Sequence, residues 1–208
     1  KITLFASVFD LGTVDFLEQF NCPAYKIASP EIIDIPLLEK VAKTKKPIII
    51  SNGLGNFKDL NLAVSTIKKF NKNIIVLKCT SSYPAAAQSL NLKTMKDITK
   101  KFKCHSGFSD HTRGIIVPIM AVSVGAKIIE KHLTLDRKMI GPDHKASIEP
   151  SEFKDMVQKI RSAEKILGSS EKTITNSEKK NIKIARKSIV ASKKIFKGEI
   201  FTTDNLLV

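Results

Sequence analysis

Two of the four histidines close short apolar runs with a carboxylate near: Asp110 directly precedes His111, and Glu130 lies two residues before His132. Imidazoles and carboxylates at short range can ligate a divalent cation or move a proton near neutral pH. No HxxxH or CxxC accompanies them, so spacing alone leaves two readings open, ligands or hydrogen-bonded structural histidines. Lys26 interrupts the run Ala24-Tyr25-Lys26-Ile27-Ala28-Ser29 with Glu31 two residues beyond. A lysine there can be a Schiff-base nucleophile, an anion-binding amine or a structural cation. The hydroxyls of Ser29 and Ser51 favour anion binding. Other short apolar runs also end in polar groups: Ser7 and Asp10, Ser51-Asn52-Gly53, Lys78 through Ser81 and Tyr83, and Ser109-Asp110-His111. Hydroxyls and amines gathered at such ends suit a phosphorylated anionic ligand. The loop Ile140-Gly141-Pro142-Asp143-His144-Lys145-Ala146-Ser147 presents Asp143 after a Gly-Pro turn, as a rim group or a turn cap.

Positioning these groups requires an ordered set of elements. Buried-strand runs are predicted at 2–9, 24–28, 47–51, 74–79, 105–108 and 127–130, apolar on both faces as in a parallel sheet. Helical spacing is predicted between them over 13–20, 35–44, 58–70, 92–102 and 114–124. A last helix, 150–167, carries Phe153, Met156, Val157, Ile160 and Ile166 on one face, with Pro150 at its start and Gly168 beyond its end. Strand starts 20–30 residues apart describe repeated βα units, and six fit. A closed (β/α)8 barrel needs eight units and about 250 residues, so the chain is expected to lack about two N-terminal units and a C-terminal part. A doubly wound six-stranded sheet needs no missing pieces and is the alternative. In either case the carboxyl ends of the strands carry the site, and His105, at the start of its strand, is given no role. The expected organisation is a barrel unit over 1–168, a Ser/Thr/Lys-rich linker over 169–181, and the start of a small β-rich module over 182–208.

Composition narrows the class. The 208 residues are 42% hydrophobic and 26% charged, a globular composition that excludes disordered and low-complexity chains. No apolar stretch approaches a membrane span, and no signal peptide is visible. Three cysteines, Cys22, Cys79 and Cys104, form no disulfide framework and read as reduced thiols of a cytoplasmic protein. Thirty-five basic against 20 acidic residues give +15, but only four of the 35 are arginine, and aromatics are 6%. That balance reads as a lysine-rich solvated surface, with no nucleic-acid partner expected.

Six motifs in order, AYKIAS (24–29), PIIIS-G (47–53), LKCTSSYP (77–84), GFSDHT (107–112), IEKHLTLD (129–136) and GPDHKAS (141–147), resemble the sialic acid synthase family, the N-acetylneuraminate, legionaminate and pseudaminate synthases. The resemblance implies a (β/α)8 barrel followed by an antifreeze-like (SAF) domain. It implies condensation of phosphoenolpyruvate with an N-acyl amino sugar, N-acetylmannosamine or a related 2,4-diacetamido sugar, with release of phosphate. His111 and His132 match the metal ligands, for Mn²⁺ or alternatively Mg²⁺ or Co²⁺. Lys26, Ser29, Ser51 and Ser109 match the positions binding phosphoenolpyruvate, and Ser7 stands where many members have Thr. Glu31 matches an acidic residue beside the reacting centre, and Tyr83 and Asp143 match positions beside the sugar.

Some features depart from the family pattern. Asn52 stands where Thr is common, and Ser81, beside the sugar site, where some members have Asn. The family's N-terminal Glu and Lys and the arginine its antifreeze-like domain lends to a partner subunit are missing, so a domain-swapped homodimer is expected only of a longer chain and the segment alone is expected to be inactive. GPDHKAS resembles neuraminate and legionaminate synthases more than pseudaminate synthases. A 3-deoxy-octulosonate or heptulosonate synthase, a Schiff-base aldolase, and a nucleic-acid- or ice-binding module are the competing readings.

Overall fold

The first consequence of a two-residue strand period is that every strand has two unlike faces. In the computed structural model, which describes residues 2–208, six strands realise this: β1 (Ala6–Val8), β2 (Tyr25–Ile27), β3 (Ile48–Ser51), β4 (Ile74–Cys79), β5 (His105–Asp110) and β6 (Ile129–Lys131). They form one wholly parallel sheet in the order β1-β2-β3-β4-β5-β6. Six crossing helices complete the units: α1 (Leu11–Glu18), α2 (Ile35–Lys43), α3 (Phe57–Lys68), α4 (Thr94–Phe102), α5 (Ile116–Ser123) and α6 (Pro150–Leu167). Strand order that never turns back is barrel-type winding, because right-handed crossovers then put every helix on the same face. The doubly wound alternative reverses direction at a switch point and is not observed. After β6, an isolated parallel bridge joins Leu133 to Ile148, extending the sheet by one pair.

The outward face of the strands makes the core. Val8, Tyr25, Ile27, Ile48, Ile50, Ile74 and Val76 pack against Leu37, Leu38, Val41, Leu60, Val64, Ile67 and Ile98 of the helices, all buried. Helix starts are set by local hydrogen bonding. Asp10 accepts from Thr13 N at 2.7 Å, which starts α1 two residues before the predicted Thr13. Asn56 and Asp59 close a capping box on α3, and Glu149 and Glu152 do so on α6. The predicted strand 2–9 pairs only over Ala6–Val8; Ile2 and Leu4 lie outside the sheet and are exposed. Strand β5 runs two residues past the predicted Phe108, and β6 begins two residues after the predicted start.

The chain divides into two compact units, Lys1–Gly168 and Ser169–Val208; Lys1, where the expected barrel unit begins, lies outside the described residues. The second unit holds α7 (Asn176–Ala185) and an antiparallel pair, β7 (Val190–Ala191) with β8 (Leu206–Leu207). Helix α7 occupies half of the predicted linker and runs past Asn181 into the predicted module. Its cause is a capping box between Thr175 and Glu178, readable as Thr-x-x-Glu. Asn205, buried, ties the hairpin by accepting from Thr202 N (2.8 Å) and donating to Ile200 O (2.9 Å).

Gly107 sits where β4, β5 and β6 meet: a Cβ there would lie 2.4 Å from Ile128 O and 2.6 Å from Leu77 Cδ2. Gly107→Ala is expected to destabilise the first unit by about 1–3 kcal/mol, the range for overpacking, read as a lowered urea midpoint.

Candidate functional site

The inward face of the same strands carries the polar groups. Register pairs Ser7 with Lys26, and Cys79 with Ser109 and Ser109 with Glu130, so residues from distant sequence positions share two rungs. Ser51, Cys79, Ser109, His111, Glu130 and His132 follow the alternation on their strands and the residues just beyond. They open into a cleft of about 600 Å³ at the carboxyl ends.

One side of the cleft is built for an anion. Lys26 is buried, its Nζ 3.2 Å from Ile27 O and 3.6 Å from Glu130 Oε2. Ser109 Oγ donates to Glu130 Oε1 at 2.6 Å. Ser29 Oγ accepts from Gly53 N at 2.9 Å. Gly53 has no room for a side chain: a Cβ would fall 2.2 Å from Ser81 Oγ and 2.7 Å from Ser29 Oγ. Ser51 Oγ is buried without a hydrogen-bond partner among the described residues, a hydroxyl that a ligand oxygen would satisfy.

The other side holds the imidazoles. The rings of His111 and His132 have centroids 5.3 Å apart, and the Tyr83 ring lies 4.1 Å from the first and 5.5 Å from the second. His111 Nδ1 lies 2.8 Å from Thr80 O, which can only accept. Nδ1 therefore carries the hydrogen, and the Nε2 lone pair is left for a ligand. Asp143 Oδ2 stands 3.8 Å from His132 Nδ1. Burial pulls the pKa of His132 down, and the neighbouring His111 adds to this, so it is readily neutral. Burial also opposes charge on His111, but the Cys79 sulfur, 3.9 Å away, and the Thr80 carbonyl outweigh it and raise its pKa. Burial alone would raise the Cys79 thiol; hydrogen bonds from His111 and Ser29 reverse this and lower it to about 7.

Among the described residues no group of three or more His, Cys, Asp and Glu is arranged to hold a metal ion. The donors that fit one are the two imidazoles, the first already backed by a carbonyl in the manner of a ligating histidine. Of the residues singled out in the sequence, the cleft brings together Ser7, Lys26, Ser29, Ser51, Ser81, Tyr83, Ser109, His111 and His132. Asp143 reaches it through His132. Glu31 sits in the 3₁₀ turn after β2; Pro30 lines the cleft beside it, while Glu31 does not, and its Oε2 is buried without a partner. Cys79 and Glu130 line the cleft without having been singled out as site residues, and Lys131 borders it through its backbone only, its side chain being turned away and buried. The signal for Glu130 was its two-residue offset from His132, and for Cys79 the same parity along β4.

A parallel β/α sheet wound in sequential order, with a lysine–serine group facing an imidazole pair at its carboxyl ends, has the winding of a β/α half-barrel. The chain belongs to the NeuB family, whose model matches residues 1–172. It is 46% identical over 99% of its length to the N,N'-diacetyllegionaminic acid synthase of Campylobacter jejuni, covering 63% of that protein. It is 37% identical over 98% of its length to the human N-acetylneuraminate-9-phosphate synthase, covering 57%. Among solved structures it resembles the N-acetylneuraminic acid synthetase of Leptospira borgpetersenii, in complex with citrate (TM-score 0.83, 36% identity, 89% of this chain and 67% of that one). A 3-deoxy-heptulosonate-type aldolase of Thermotoga maritima, 19% identical with TM-score 0.70, shares the fold. The chain spans about 60% of the length of the curated relatives it matches.

Iodoacetamide labelling without added divalent ion is expected to modify Cys79 with a midpoint near pH 7, the thiolate being the reactive form. Cys104, whose thiol burial pushes up, should react only above the ordinary thiol range. His111→Ala should move the Cys79 midpoint upward; peptide mass spectrometry reads all three, and equal pH profiles for the two cysteines would contradict the assignment.

Proposed function

We propose that this chain is the catalytic core of a nonulosonic acid synthase, condensing phosphoenolpyruvate with an N-acyl amino sugar and releasing phosphate. The observation that carries this is one cleft in which Lys26 and the serines face the His111–His132 pair. Lys26, Ser29, Ser51 and Ser109, with Ser7, hold the phosphate and carboxylate of phosphoenolpyruvate. Ser81, Tyr83 and Asp143 lie toward the sugar. His111 and His132 would hold a divalent ion, Mn²⁺ first among candidates, which would supply Lewis acidity toward the sugar aldehyde.

The electron flow follows from these positions. C3 of phosphoenolpyruvate attacks C1 of the open-chain sugar as the aldehyde C=O π bond opens, and the resulting alkoxide takes a proton from solvent. Positive charge develops at C2, where the carboxylate of Glu31 offsets it. Water adds to C2 and gives up one proton to solvent; the C2–O bond to phosphate then breaks, the remaining hydroxyl proton leaving with the phosphate, to give a 2-keto acid. Both reactants are neutral or anionic and weakly reactive, so holding them in register contributes much of the rate. The GPDHKAS loop favours a neuraminate or legionaminate precursor over a pseudaminate one. For the whole protein we propose a closed eight-stranded barrel, an antifreeze-like domain beginning in the Ser169–Val208 unit, and a domain-swapped homodimer.

Phosphate release by the complete protein is the test, with phosphoenolpyruvate, Mn²⁺ and either N-acetylmannosamine or a 2,4-diacetamido sugar. Release is expected to stop with EDTA and to fall in His111→Ala by at least the ~10–100-fold that outer-shell changes at metal sites cost. Ser51→Ala should raise KM for phosphoenolpyruvate by roughly tenfold or more, the worth of a hydrogen bond to a charged group. Gly53→Ala should do the same by displacing Ser29 and Ser81. EDTA-resistant turnover with borohydride-trapped pyruvate on Lys26 would instead establish a Schiff-base aldolase.

A further inference from the structure

Asp110 and Lys131 are cross-strand partners at the ends of β5 and β6. Each immediately precedes a cleft histidine, His111 or His132. By strand parity their side chains leave the sheet on the side opposite Ser109 and Glu130. The pair is sealed: Lys131 Nζ lies 2.7 Å from Asp110 Oδ2, and the two side chains are 1% and 0% exposed. Its remaining bonds all go to one short stretch of backbone. Asp110 Oδ1 accepts from Thr112 N at 2.8 Å, and Lys131 Nζ also donates to Thr112 O. The residues on both sides of His111 are thus tied to Lys131 of the strand that leads to His132, Asp110 through its side chain and Thr112 through its backbone carbonyl.

An ion pair is an unexpected choice for that space. One step earlier on the same face, the partners are Phe108 and Ile129, packed in an apolar cluster. Burying two charges costs as much as or more than their attraction returns, and an apolar pair of similar volume stabilises as well or better. What the ion pair adds is direction: three polar contacts of defined geometry in place of non-directional packing. We propose, resting on the metal reading above, that Asp110 and Lys131 are positioning residues that set the His111–His132 separation at the strand ends. They touch neither substrate nor metal; they act through the backbone of the two imidazoles.

The test uses the complete protein, with Mn²⁺ binding followed by calorimetry in the absence of substrates. Asp110→Asn/Lys131→Met removes both charges and leaves neither unpaired, so the fold is expected to persist by circular dichroism. Its Mn²⁺ affinity should fall by about 10–100-fold, the loss typical of partners that orient metal ligands. Its kcat should fall with it, while KM for phosphoenolpyruvate stays near the parent value because the anion side is untouched. Asp110→Asn alone, isosteric and still able to accept from Thr112 N, should show the same direction of change. Lys131→Arg, which keeps charge and donors, should recover part of the affinity. Folded variants with parental Mn²⁺ affinity and kcat would overturn the positioning role and leave the metal reading intact. A parent protein that binds no Mn²⁺ would overturn the metal reading and this inference together.

Discussion

The whole arrangement depends on side-chain alternation in a parallel sheet whose strands follow one another in sequence order. Because the order never reverses, all crossing helices lie on one face, and that face takes every second residue into the core. The intervening residues are released from the work of holding the unit together. They gather as serine, lysine, cysteine, glutamate and histidine over one cleft. The apolar half of each strand is therefore the support on which the chemistry rests. A one-residue slip of any strand would exchange the two sets.

The cleft is electrostatically divided. Glu130 stands between its halves, accepting from Ser109 and facing Lys26 on one side, while two residues later His132 begins the other. Its position lets one carboxylate order the anion-binding donors without occupying the imidazoles. Several polar groups remain incompletely satisfied: Ser51 Oγ and Glu31 Oε2 are buried without partners. Buried polar atoms ordinarily find partners; of these two, among the described residues, Ser51 lines the cleft and Glu31 lies beside it. Cys79 couples to His111 and alters its charge balance, tying the serine side of the cleft to the imidazole side.

The second unit is stabilised differently. It is small, with helix α7 and a two-residue hairpin pair, and it exposes Ile189, Phe196, Ile200 and Phe201. Its order rests on local devices, the Thr175–Glu178 capping box and the Asn205 bonds, more than on a core of its own.

Much of this was legible in the residues alone. The spacing of apolar runs, punctuated by polar ends, predicted six strands and six helices, but it read the strands as apolar on both faces, whereas the outward face is apolar and the inward face carries polar groups toward the cleft. The same punctuation marked Lys26, the serines and both histidines as groups of one end. The capping signal at Thr175-x-x-Glu178 was also present but outweighed by the polar composition around it. Three things needed the tertiary structure. Barrel-type winding over a doubly wound sheet is a matter of strand order, which local periodicity does not encode. The distance between His111 and His132, and the approach of Cys79 to the first, depend on register between strands separated by whole βα units. The meeting of Asp110 with Lys131 was hidden for the same reason: in sequence Asp110 read as a carboxylate available beside His111, and only parallel pairing turns it from the cleft and buries it with Lys131.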